Sequence, residues 1–185
     1  MNVTVTQDKF LSNSHNKTRL IGLLKTALLG ANFAVEQARN DADVLIVNTA
    51  LTARHSPAVI VSEDVDVLTL AVGLTPPEKK IYFLKLGKGN KRQTVYSTNS
   101  LDKYPFCRNN ILFLHAFSGC DTTSCFYNHG KKRIFTSFET KLSLDSTFRQ
   151  AVEVFKRPNQ TKEAIFENGM AALLFVYKAP QKTAC

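Results

Sequence analysis

An α/β fold with a helical final third is what this sequence predicts, on three observations. Short continuous apolar runs, Val59-Ile60-Val61 foremost, alternate with segments of helical period through the first half. From Ser146 onward the apolar positions recur only at helical spacing. Acidic residues border the apolar runs: Glu63, Asp64 and Asp66 follow Val61, Asp121 follows Ile111-Leu112-Phe113-Leu114, and Asp41 and Asp43 precede Val44-Leu45-Ile46-Val47. Open parallel sheets place their sites beyond the strand carboxyl ends, so carboxylates at such exits converge on one rim. With 185 residues and 44% hydrophobic content the chain can bury one ordinary core, and a single domain over 1–185 is expected.

The elements follow in order. Asn16 to Leu29 carries Leu20, Ile21, Leu23, Leu24, Ala27 and Leu28 on one helical stripe, with Gly30 as its stop. Phe33-Ala34-Val35 reads as a short strand, and Asp41 to Ala53 as a helix with an acidic first turn. Ser56-Pro57 breaks it, and Ala58 to Ser62 is a strand apolar enough for burial on both faces. Val65 to Val72 is helical, ended by Gly73 and Pro76-Pro77. Lys80 to Leu86 and Gln93 to Ser97 alternate as two strands of a hairpin whose turn is Gly87 to Lys91. Asn110 to Phe117 is a helix, Thr123 to Tyr127 a short one, and Lys131 to Phe138 starts another. Ser146 to Lys156 and Thr161 to Tyr177 close the chain as helices separated by Pro158.

A formal net charge of +9 and a pI near 9.5 point to an anionic partner, nucleic acid being the commonest, though a solvated Lys/Arg surface that only confers solubility has the same signature. No stretch approaches the ~20 apolar residues of a membrane span. The start, Met1 to Val5, has no basic segment leading into an apolar one, so an intracellular and preferentially nuclear protein with reduced cysteines is expected. Converging carboxylates would offer the hard oxygen ligands that Mg²⁺ or Mn²⁺ prefer, and paired ions of that kind cleave phosphodiesters.

The order Asp41-Ala42-Asp43, Asp64-Val65-Asp66-Val67-Leu68, His115 to Ser124 with Gly119-Cys120-Asp121, then Gly130-Lys131-Lys132 resembles the PIN-like flap-endonuclease (5′ nuclease) superfamily. It is most similar to an animal branch with a Gly-Cys-Asp-Thr-Thr-Ser element, and the resemblance spans roughly residues 36–135. It implies a PIN-like α/β/α sandwich with a mostly parallel sheet, a small β-hairpin and a helical C-terminal part over 139–185. It also implies a divalent-metal-dependent nuclease acting on nucleic-acid phosphodiesters, DNA before RNA. Carried over residue by residue, Asp41, Asp43, Asp64, Asp66 and Asp121 are the implied Mg²⁺ or Mn²⁺ ligands, with Asp64, Asp66 and Asp121 catalytic. Gly130, Lys131, Lys132 and Arg133 stand where the family grips backbone phosphate, and a basic turn at a helix start is an anion site on physical grounds too. The family's first metal-binding Asp lies on a strand upstream of these elements, and here Asp8 is the one acidic residue before Glu36. A catalytically inactive descendant that binds nucleic acid or protein is therefore the second expectation.

Plainer readings stand beside these. Asp64 and Asp66 suit a helix N-cap and first turn for local reasons, and Glu63 points to solvent. His115, Cys120, Cys125 and His129 offer zinc ligands, but their spacing lacks the Cys-x₂-Cys knuckle. Cys120 with His115 as nucleophile and base has no third orienting group nearby. Thr122-Thr123-Ser124 would cap the next helix or orient Asp121. Lys79-Lys80 and Lys88, Lys91, Arg92 read as solvated turns.

Overall fold

A computed structural model describes residues 5–90, 92–121, 123–142 and 145–178. The chain divides into two units, Met1–Ala42 and Asp43–Cys185. The first holds α1 (Gln7–Leu11) and α2 (Ser14–Gly30). Asn13 starts α2, its side-chain oxygen accepting from the His15 N–H at 2.9 Å, which satisfies one of the orphan donors of a helix start. The expected apolar stripe is there but open to solvent, Leu23 being 61% exposed. The strand expected at Phe33-Ala34-Val35 does not form. Asn32 takes a left-handed φ of 62° and the Phe33 N–H bonds back to the Leu28 carbonyl, so this segment is spent closing the helix end.

The second unit opens with α3 (Asp43–Thr52), β1 (Ala58–Val61), α4 (Val65–Leu74), β2 (Ile81–Lys85) and β3 (Thr94–Ser97), close to the expected ranges. β1 pairs with β2 in parallel and β2 with β3 antiparallel, in the order β1-β2-β3. The class is mixed α/β, with one parallel and one antiparallel pairing among the described residues. Ile60, Ile81 and Phe83 from the sheet share a core with Val47 of α3 and Val67 and Ala71 of α4, so both helices cover one face. On the other face Val59 and Val61 are each 56% exposed. Burial of β1 on both faces therefore fails: it is an edge strand of the described sheet, and its covered face is the one packed on α3 and α4. Gly73 is not the stop expected either. α4 runs through it to Leu74, and a Cβ there would lie 2.6 Å from Leu112, so the glycine is where a second helix comes close.

That helix is α5 (Pro105–Phe117), which starts earlier than its apolar period because Pro105 fits the first turn. α6 (Lys131–Leu142), α7 (Ser146–Lys156) and α8 (Lys162–Val176) follow as expected. Together α5 to α8 enclose Phe113, Phe138 and Phe148, with Ile134, Val152 and Val176 between them and six further phenylalanines half-buried around. The short helix expected over Thr123 to Tyr127 is absent. Cys120 and Thr123 exchange backbone hydrogen bonds at 3.1 Å and the Thr123 hydroxyl donates to the Ala116 carbonyl at 2.6 Å, which draws this stretch into a closed turn.

Candidate functional site

The site is built where α4 meets α5. Leaving β1, the chain turns at Ser62, whose hydroxyl oxygen accepts from the Asp64 N–H at 3.0 Å. The Asp64 carboxylate then accepts from the Asp66 N–H at 2.8 Å, capping α4. So Asp64 takes the plain helix-cap role with one oxygen, and Asp66 is set in the first helical turn. Further along, Gly73 faces Ile111 and Leu112, and the Arg108 guanidinium donates to the Thr75 carbonyl at 2.9 Å. These contacts run in opposite senses along the two helices, so α4 and α5 are antiparallel, and the start of one lies beside the end of the other.

Asp66 and His115 meet there. Asp66 Oδ1 lies 3.0 Å from His115 Nε2, with side chains 28% and 14% exposed. The Asp66 carboxylate, at a helix start, sits at the favourable pole of its helix dipole. The distance is that of an ion pair, yet Nε2 is fully buried and its geometry towards Asp66 is not that of a hydrogen bond. On the other side of the ring, Lys131 Nζ lies 3.3 Å from Nδ1. An ammonium only donates, so Nδ1 accepts and the ring proton resides on Nε2.

After α5 the chain reverses sharply. Ser118 is buried, and Gly119 adopts a φ of +100°, where any side chain would also collide with Cys125 at 2.7 Å. The reversal swings Cys120 back beside His115. Thr123 fixes it there, its hydroxyl 3.1 Å from the Cys120 amide and 3.3 Å from Sγ. Potential ligand atoms of Asp66, His115 and Cys120 lie within 4.8 Å of one another, the one such group of three among the described residues.

Asp43 opens α3 and is half-buried, Asp121 is exposed at the tip of the turn after Cys120, and Asp41 is exposed in the first unit. Of the expected acids of the second unit, only Asp66 belongs to that ligand group. Lys131, Lys132 and Arg133 form the first turn of α6, with Gly130 as its cap, accepting from the Arg133 and Ile134 amides. Gly130, Lys132 and Arg133 line a shallow surface pocket with Thr136 and Ser137. The four zinc-ligand types that lack the knuckle spacing, His115, Cys120, Cys125 and His129, do not assemble among the described residues. The His129 ring packs on Tyr177 at 4.5 Å and its Nδ1 lies 2.9 Å from the Tyr127 carbonyl, while Cys125 is exposed outside the group. His115 and Cys120 instead join Asp66, a partner 49 residues upstream of the histidine that local spacing could not supply.

Two other features carry no chemistry of this kind. A groove along α5 is lined by Gly73, Leu112, Ala116, Phe117 and Phe155, with no acidic residue in its lining. The Cys107 thiol is pushed up by burial and then by Glu139, which leaves it a poor nucleophile at neutral pH. Comparison of the chain with protein-family models, with curated proteins and with solved structures found no match.

Proposed function

We propose that this chain acts on nucleic-acid phosphodiesters, DNA before RNA, as a divalent-metal-dependent nuclease-like domain. The observation that supports the reading most is the chain of contacts from Lys131 through His115 to Asp66, with steps of 3.3 and 3.0 Å. It brings the basic turn of α6 and the acidic turn of α4 to one place, as a site that holds a phosphate beside a hydrolytic group requires.

The basic turn itself favours an anion. Three cations, Lys131, Lys132 and Arg133, occupy the first turn of α6, which has no acidic residue to offset the positive pole of the helix. Gly130 has no side-chain oxygen to occupy the Lys131 and Lys132 amides, so these and the cations can face phosphate, while the Arg133 amide is taken by the Gly130 carbonyl. The residue set for Mg²⁺ or Mn²⁺ fits less well. Those ions take oxygen ligands, and no three carboxylates among Asp43, Asp64, Asp66 and Asp121 present oxygens within 4.8 Å of one another. The group that does converge mixes oxygen, nitrogen and sulfur, a set that does not suit a magnesium ion.

The second reading, a descendant that binds nucleic acid without cutting it, is favoured by the use of Asp64 as a helix cap. Incubating a labelled branched or single-stranded oligonucleotide with the protein in Mg²⁺, Mn²⁺, Zn²⁺ or chelator separates the two. A nuclease cleaves with metal and not in chelator, and Asp66→Asn lowers the rate by about 10²-fold or more. Salt-sensitive binding without cleavage would establish the second reading, and neither binding nor cleavage would remove both.

A further inference from the structure

The geometry points to a zinc-class metal site formed by Asp66 Oδ1, His115 Nε2 and Cys120 Sγ, with its fourth position open to water or a phosphate oxygen. It stands on ligand geometry alone and does not depend on nucleic-acid cleavage.

Four observations carry it. First, the donors are of the right kind. One carboxylate, one imidazole and one thiolate form a borderline-soft set that suits Zn²⁺ and does not suit Mg²⁺ or Ca²⁺. Second, the spacing is right. Two ligands at the usual ~2.1 Å from zinc stand about 3.0 Å apart at a right angle and about 3.4 Å apart at the tetrahedral angle. Asp66 Oδ1 and His115 Nε2 are 3.0 Å apart. For nitrogen and thiolate the tetrahedral separation is about 3.6 Å, and one ligand atom from each of the three residues lies within 4.8 Å of the other two.

Third, Nε2 is a buried polar atom 3.0 Å from a carboxylate oxygen without a hydrogen bond to it. Two atoms at contact distance but off the hydrogen-bond line are disposed as neighbouring ligands of one ion are. Fourth, the cysteine is positioned by its surroundings. Gly119 makes the reversal that only glycine makes freely, and Thr123 ties the Cys120 backbone to the end of α5, the helix that carries His115. Three protein ligands on partly exposed side chains match catalytic zinc sites, which keep one position free, better than closed structural ones.

Protons balance simply. When the ion binds, Cys120 releases its thiol proton to solvent, and His115 keeps one proton, now on Nδ1 because the metal occupies Nε2. Nδ1 can then no longer accept from Lys131, and the ammonium turns outward beside Lys132 and Arg133.

The test is direct titration of the chelator-treated 185-residue protein with Zn²⁺ against a competing chromophoric chelator, and separately with Co²⁺. The site predicts one Zn²⁺ per chain with a dissociation constant below micromolar, and a thiolate-to-cobalt charge-transfer band in the near ultraviolet. Cys120→Ser, nearly isosteric, abolishes that band. His115→Gln and Asp66→Asn each weaken zinc binding by about 10- to 100-fold, whereas Asp64→Asn changes it less than about 2-fold. Wild-type protein that binds Co²⁺ without the charge-transfer band, or binds no zinc below micromolar, overturns the assignment. So does zinc affinity that Cys120→Ser leaves intact. Because no arm reads cleavage, a protein that binds zinc here but cuts nothing refutes only the nuclease reading.

Discussion

The two halves of the larger unit are held together in different ways. The α/β half, from Asp43 to Leu101, rests on six mostly small aliphatic residues between one sheet face and two helices, and its other sheet face is open at Val59 and Val61. The helical half, from Pro105 to Val176, is a ring-packed core in which Phe138 contacts both Phe113 and Phe148, and these rings pack on those of Phe117, Phe155 and Phe175. Aromatic side chains bury more area per residue and gain from edge and offset contacts, so this half is the better anchored. The ligand group spans the seam. The thin half supplies Asp66 and the dense half supplies His115, Cys120 and Lys131, so the histidine end is fixed and the acid is presented to it by α4.

The contrast is sharpest in the cores. Phe138, buried and packed on four rings, should cost about 3–5 kcal/mol when replaced by Ala. Val59→Thr, on the open sheet face, should change stability by less than about 0.5 kcal/mol. Denaturant unfolding measures both, and comparable losses would mean the sheet face is covered in solution.

The seam comes next. Arg108 on α5 donates to the carbonyls of Thr98 at 2.5 Å and Thr75 at 2.9 Å and pairs with Asp102 at 3.0 Å, so it stitches the two halves. Arg108→Met should cost about 2–3 kcal/mol by leaving those acceptors unmet, and Lys should not restore it because its ammonium lacks the planar fork. A loss confined to a few tenths would show that α5 docks on α4 by apolar packing alone.

Glycines in the two halves should respond with opposite sign. Gly73→Ala puts a methyl 2.6 Å from Leu112 and should cost about 1–3 kcal/mol, enough to override the gain in helix propensity. Gly169→Ala in α8 meets nothing nearer than 3.6 Å and should gain up to about 1 kcal/mol. Equal gains at both sites would place α5 farther from α4 than described.

The smallest effect on stability belongs to the basic turn. Replacing Lys131, Lys132 and Arg133 by Ala should raise stability by a few tenths of a kcal/mol per residue, since cations there oppose the helix dipole. The same change should flatten the salt dependence of oligonucleotide binding by up to about three contacts. Unchanged slope would move the nucleic-acid surface elsewhere, for instance to the hairpin lysines.

Much of this architecture was legible in the chain. α7 runs from Ser146 to Lys156 as its apolar period said, and β2 and β3 lie where alternation put them. Periodicity reports which face of a segment is apolar; α7 and β2 bury that face, whereas Val95 and Tyr96 of β3 stay exposed. Periodicity does not report what covers the face, so the leucines of α2 and the valines of β1 looked buried and are exposed. Local hydrogen bonds decided two other segments. Phe33 to Val35 closes a helix, and Thr123 closes a turn, because a side-chain hydroxyl and a left-handed asparagine offered nearby partners. At the site, acid and base were each visible as types. Asp66 stands at a strand exit as an expected ligand, and His115 and Cys120 read as ligand types beside the wrong companions. Their true relation depends on the antiparallel docking of α4 on α5 at Gly73, a contact between segments far apart in sequence.

The central claim is that the two halves together hold a metal at their seam, and anomalous scattering at the zinc edge tests it most directly. Crystals of the protein grown or soaked with stoichiometric Zn²⁺ should show one dominant anomalous peak about 2.0–2.3 Å from Asp66 Oδ1, His115 Nε2 and Cys120 Sγ, with Lys131 turned away from His115. A dominant peak among Asp43, Asp64 and Asp121 instead, or a seam without one while zinc sits elsewhere, would contradict it.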